Sequence, residues 1–159
     1  MPAPDAPSVR SWRDRATPPA LVNLTVSASA VLWAVACCVP AISSRVIQTG
    51  EVYSDPGFWC AIWGPMVVFS GCPAWCANLS GAAAALYLSR RRYKAAILWT
   101  LLSLLLVASI VKLFAIDIPL DEGGVRRARP EHLRIGFWLW SMSLALPGVV
   151  GGWLQAQTR

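Results

Sequence analysis

Apolar and polar positions fall in long blocks along this chain. Apolar runs cover residues 20–42, 73–89, 95–116 and 136–154, separated by short stretches in which charge, proline and glycine collect. About 20 apolar residues cross the hydrocarbon core of a bilayer, so each block predicts one membrane-spanning helix. The stretch from Pro56 to Lys94 organises the rest. It is apolar for about thirty residues, too long for one straight crossing, and Pro65, Gly71 and Pro73 interrupt it. Two pieces are therefore expected: a short outer element at 58–69, re-entrant or interfacial, and a crossing from Pro73 that stops at Arg90, Arg91, Arg92 and Lys94. The predicted fold class is all-α integral membrane, with four transmembrane helices plus that outer element. Residues 1–19 hold five prolines with Arg10, Arg13 and Arg15, and predict a disordered basic tail ahead of one helical domain at 20–159. Residues 43–55 and 117–135 are expected to be polar loops.

Composition supports the membrane assignment. Hydrophobic residues make up 56% of the chain and charged ones only 14%, well below the charged share of an ordinary soluble domain. The net charge of +6 does not point to nucleic acid, because the basic residues are divided among segments that flank the apolar runs. That distribution is an orientation signal. Arg10, Arg13, Arg15, the 90–94 cluster and Arg159 fall on one side, whereas six of the eight acids share the other. Both termini are expected to be cytoplasmic. Tryptophan agrees, with Trp12, Trp99 and Trp153 at the inner interface and Trp59, Trp63, Trp75, Trp138 and Trp140 at the outer one. Arg outnumbers Lys twelve to two, consistent with a GC-rich bacterial genome, and the expected location is a bacterial inner membrane.

Helices in lipid associate through small residues. The expected seams are Ala30-Ala34-Cys38, Ala77-Gly81-Ala85 and Gly148-Gly152, and the last is the candidate for a homo-oligomer contact. The Leu-rich third crossing lacks such a seam and is expected to face lipid more. Asn78 lies inside a crossing one turn from Trp75, and a carboxamide there needs partners, so an interhelical hydrogen bond is the first expectation and a ligand-binding polar group the second.

Cys37, Cys38, Cys60, Cys72 and Cys76 all map to the outer half, with no C-x-x-C and no zinc-like spacing. Small buried packing residues are the simplest account, and a structural disulfide from Cys60 to Cys72 or Cys76 is the alternative. His132 is the lone histidine and sits among charges. There is no phosphate loop, no nucleophile elbow and no row of intramembrane carboxylates. No catalytic, cofactor-binding or metal-ligating residue is expected.

Pro56-Gly57, Gly64 and Trp75-x-x-Asn78 precede an apolar helix ending in Arg, and Gly136-Phe-Trp-Leu-Trp-Ser-Met142 comes later. This pattern resembles a group of uncharacterised small bacterial inner-membrane proteins, in which a Gly-Trp-Leu-rich element precedes W-L-A-N-P and a helix. The likeness covers roughly residues 50–150, and departs at Cys76, where the group has Leu, and at Ser80, near its Pro. It implies an architecture and no mechanism. The leading expectation is a non-enzymatic membrane protein that binds lipid or a protein partner at its outer surface, such as an immunity-type protein or a small subunit of an envelope complex. A quinone-linked thiol-disulfide oxidoreductase is the alternative, and an oligomeric channel or transporter the third.

Overall fold

The structure is a computed structural model that describes residues 19–69, 71–120 and 123–158. Residues 1–18 of the expected basic tail, Ser70, Asp121, Glu122 and Arg159 lie outside the described residues. Helix α1 spans Pro19–Cys38, α2 Gly57–Phe69, α3 Ala77–Ser89, α4 Tyr93–Ala108 and α5 Ile135–Gln157. A 3-10 turn, Pro73–Cys76, leads into α3, and another, Ser109–Ala115, prolongs α4. Three helical segments are long and apolar enough to cross a membrane: Pro19–Cys38, Tyr93–Ala115 and Ile135–Gln157. The pair α2 and Pro73–Ser89 is a fourth candidate, bent by 120° at its break. The Pro/Gly interruption thus divides the chain where the sequence predicts, and Gly71 takes a φ of 88° that suits glycine alone.

The bundle is inside-out by the standard of a soluble protein. Leu24, Leu79, Leu98, Leu101, Leu105 and Val149 are exposed, whereas Thr25, Ser29, Ser80, Thr100, Ser103 and Ser143 are buried. Small and hydroxyl-bearing residues let backbones approach, and the outward Leu belt suits lipid. The closest approaches are at glycine. A Cβ at Gly81 would overlap the Leu144 side chain, and one at Gly148 would overlap Thr100. Ser103 Oγ donates to Ser80 Oγ at 2.8 Å, tying α4 to α3. Helix α4 packs against its neighbours through Tyr93, Ala96, Thr100, Ser103 and Val107, and its span is less buried than that of α5 and as buried as that of α1. Its interior stripe is hidden in sequence because Thr and Ser share the packing among the leucines. In α1 the expected seam is displaced. Ala30, Ala34 and Cys38 are exposed, and the buried positions are Val22, Thr25, Ser29 and Ala36.

The all-α expectation is also corrected. The two segments expected as polar loops fold into a four-stranded antiparallel sheet in the order β2-β1-β4-β3. Its strands are β1 (Pro40–Val46), β2 (Val52–Pro56), β3 (Ile118–Pro119) and β4 (Arg127–Leu133). The first crossing accordingly ends at Cys38, and the residues beyond it turn into β1. The hairpin between β1 and β2 closes with the Val46 N–H donating to Glu51 O and the Gly50 N–H to Val46 O, both at 2.8 Å. Gly50 has a φ of 74°, which the turn requires. Pro130 has no N–H to donate, and it sits opposite Ser44 where the β1–β4 register shifts, so the ladder tolerates it. Arg45 and Arg129 face each other across β1 and β4. Each is neutralised, Arg45 by a two-pronged contact with Glu131 and Arg129 by Asp117 at 2.8 Å. The Arg45 guanidinium holds the Glu131 carboxyl below the usual glutamate range.

The basic cluster forms the turn between α3 and α4. The Arg92 N–H donates to Tyr87 O and the Arg91 N–H to Leu88 O, both at 2.9 Å, with Arg91 in the left-handed region at φ 57°. This is a Schellman cap built on arginine where glycine is usual. Arg90, Arg91, Arg92 and Lys94 are all exposed at this end of the bundle.

Candidate functional site

A partly open cavity of about 850 Å³ lies between the sheet, α2 and the adjoining end of the bundle. Its size falls in the range of small-molecule sites, about 300–1,000 Å³. Trp33, Asn78, Phe137 and Trp140 form the floor, and Trp59, Trp63 and Val67 of α2 form one wall. Ile42, Ser44, Tyr53, Asp55 and Pro130 supply the sheet side. None of the α2 residues is buried, although nearly all are apolar.

Asn78 is the polar centre of the floor. Its Oδ1 accepts from the Trp33 indole N–H at 3.1 Å and from the Trp140 indole N–H at 2.8 Å, while its Nδ2 donates to Trp75 O at 3.1 Å. One carboxamide therefore joins α1, α3 and α5. The Trp75 indole N–H donates to Ala61 O at 2.9 Å, which holds α2 over the start of α3. Gly64 makes this fit, because a Cβ there would overlap the Trp75 ring. Sequence reasoning singled out Asn78 and Trp75. Trp33 and Trp140 complete the node, and the available signal was chemical: an indole N–H in an apolar run needs an acceptor, and few are present.

Asp55 is the acidic residue of the lining, and no Lys, Arg or His accompanies it there. Among the described residues it makes no ion pair, since Arg45 and Arg129 are engaged elsewhere. Burial lifts its carboxyl above the usual aspartate range. Tyr53, on the same strand, is pushed up by burial and by the nearby Asp55 charge.

The cysteines are free. Cys37, Cys60 and Cys72 line the cavity. Cys72 is 2% exposed and its thiol donates to Ser109 O at 3.6 Å, whereas Cys38 is exposed. Cys60 lies on the α2 turn that follows Gly57, and Gly57 sits against Ala36 and Cys37 so tightly that a Cβ would overlap the Ala36 carbonyl. Among the described residues no group of three His, Cys, Asp or Glu side chains could hold a metal ion. His132 is exposed on β4, where its carbonyl accepts from Ser43 Oγ at 3.4 Å. Gly148 packs inward on α4, while Gly152 has open space around it.

These environments give a labelling prediction. In the folded, detergent-solubilised protein, Cys72 should stay unmodified by a small maleimide and react only after denaturation, while Cys38 reacts at once. Peptide mass spectrometry reads both sites, and equal early labelling of Cys72 would contradict the burial.

No family model, curated protein or solved structure matches this chain.

Proposed function

We propose that this chain is a non-enzymatic membrane protein that binds an apolar or amphiphilic ligand in the cavity beneath its sheet. The observation that carries this reading is the cavity itself, about 850 Å³, walled by indole rings and aliphatic side chains with a few fixed polar groups. That combination suits a ligand with an apolar body and one polar end. The charged face of the sheet would remain in water, where it offers Arg45, Arg129 and Glu131 to a protein partner. In this reading the protein sits in a bacterial inner membrane with four crossings, both termini cytoplasmic and the sheet outside. The exposed cluster at 90–94 supports that orientation, since basic residues favour the cytoplasmic side.

Reporter fusions after residues 50, 92 and 125 test the topology. The expected result is outside, inside and outside. An outside signal at 92 or an inside signal at 50 would reverse the assignment.

Native mass spectrometry of protein extracted in mild detergent tests the binding. A retained amphiphile is expected with the wild type and reduced with Ala61→Phe, which fills space on the α2 side of the cavity. A wild type that neither retains nor rebinds any single-chain amphiphile would overturn the proposal. Mixed disulfides trapped with a second protein, and lost on replacing Cys60 and Cys72, would also overturn it and favour thiol-disulfide exchange.

A further inference from the structure

The proposed binding site leaves the nature of the polar end open, and the distribution of charge and hydrogen-bond capacity around the cavity bears on it. Five of the nine tryptophans line the cavity, at positions 33, 59, 63, 75 and 140. An indole can attract an anion or a carbonyl through its N–H, or a cation through its face. Here the first route is closed at three of the five. The N–H groups of Trp33 and Trp140 are both given to Asn78 Oδ1, and that of Trp75 to Ala61 O. The ring faces are partly engaged: Trp59 and Trp63 stack at 6.5 Å and Trp140 tilts against Phe137 at 5.8 Å, whereas no aromatic ring pairs with Trp33 among the described residues. The one charged side chain in the lining is Asp55, and it has no cation beside it among the described residues.

The arginines of the sheet could have neutralised Asp55, but the strand geometry sends them elsewhere. Asp55 is opposite Ile42, a cavity-lining position. Arg45 and Arg129 are exposed and bound to Glu131 and Asp117. Arg127 is also exposed, and its Nε donates to Gly124 O at 3.0 Å. The cavity therefore keeps a half-buried carboxylate, several aromatic faces and few free donors. A partly desolvated carboxylate is stabilised by a charge-assisted hydrogen bond, and aromatic faces add attraction for the same cation.

Building on the proposed binding role, we infer that the ligand is an amphiphile with a cationic nitrogen at its polar end, set against Asp55, and its apolar chain among the indoles. The shared chemistry is an ammonium on an apolar body. It can be supplied by an aminophospholipid of the membrane or by a free amphiphilic amine.

Quenching of tryptophan fluorescence in nanodiscs gives the test, with three probes of equal chain length: dodecylammonium, dodecanol and dodecyl phosphate. The ammonium probe should bind about tenfold more tightly than the alcohol, and the phosphate more weakly than either. Asp55→Asn should remove most of that preference, and Asp55→Glu should keep it. Melting curves matched to the wild type show that each variant is folded. If all three probes bind equally, or the phosphate binds best, the cationic ligand is wrong while the cavity ligand stands. If a preference for ammonium persists unchanged in Asp55→Asn, the assignment to Asp55 is wrong. If none of the probes binds, the underlying binding proposal fails as well. Lipid analysis of the purified protein separates the two sources. Enrichment of phosphatidylethanolamine that is lost in Asp55→Asn marks the membrane lipid, and ammonium binding without enrichment marks a free amine.

Discussion

Gly136→Leu is expected to lower the unfolding midpoint of the detergent-solubilised protein by roughly 6 °C or more, whereas Gly152→Leu in the same helix should move it by less than about 2 °C. A Cβ at Gly136 would lie 2.8 Å from Pro40 O, 2.9 Å from Val39 O and 3.1 Å from Ala36 O. These are backbone oxygens at the point where α1 ends and β1 begins, and no rotamer change can withdraw them. The same corner is gripped by two hydrogen bonds, from the Gly57 N–H to Val39 O at 3.0 Å and from the Arg134 N–H to Ala41 O at 2.8 Å. Forcing α5 away would therefore disturb α1, α2 and the first strand together. Overpacking in a well-packed site costs about 1–3 kcal/mol and occasionally more, and a rigid backbone neighbour places this site at the upper end. Gly152 has nothing within 4 Å of its Cβ position, so it serves as a control for helix propensity and added bulk. Equal shifts for the two variants would show that this corner is not closely packed.

The helices were legible because hydrophobic runs of membrane length leave few alternatives, and the break at Gly71 was legible because Pro65, Gly71 and Pro73 fall within nine residues. The sheet was missed for an identifiable reason. Ser43, Ser44 and Arg45 interrupt the expected alternation, and a register shift between Ser43 and Ser44 leaves both serines buried. Pro130 argued further against a strand, although a register shift is where a strand accepts proline. A signal was nevertheless present: Val46 and Ile47, then a turn through Gly50, then Val52 and Tyr53 form a hairpin pattern that the surrounding charges obscured. The packing faces were only partly legible. Small residues mark a seam where they carry the contact, as at Ala77 and Gly81, but in α1 and α4 Thr and Ser share the contact with Val22, Ala36, Tyr93, Ala96 and Val107. By sequence Asp55 is one of the acids at the end of the expected polar loop at 43–55. Its position in the cavity depends on the β1–β2 pairing, which composition alone does not reveal.

Asn78→Leu should produce the largest loss of any polar substitution, because the carboxamide serves three helices at once. Interhelical polar contacts in membranes average about 0.6 kcal/mol and reach about 1.7 kcal/mol, and Asn78 receives two of them from Trp33 and Trp140. Leucine would also leave the part-buried Trp140 indole N–H without an acceptor, which adds a desolvation penalty of about 1–3 kcal/mol, whereas Trp33 is 41% exposed. A total of about 2–3 kcal/mol is expected, equivalent to a midpoint drop of about 4–12 °C. A double-mutant cycle isolates the node from simple volume change. In a background carrying Trp33→Phe and Trp140→Phe, Asn78→Leu should cost much less than in the wild type, since the bonds it removes are already gone. The floor of the cavity should respond too. Freed of Asn78, the two indole rings can reorient, and amphiphile binding measured by fluorescence quenching should weaken even in variants that remain folded. Strict additivity in the cycle, together with unchanged binding, would mean that Asn78 neither joins the helices energetically nor shapes the site.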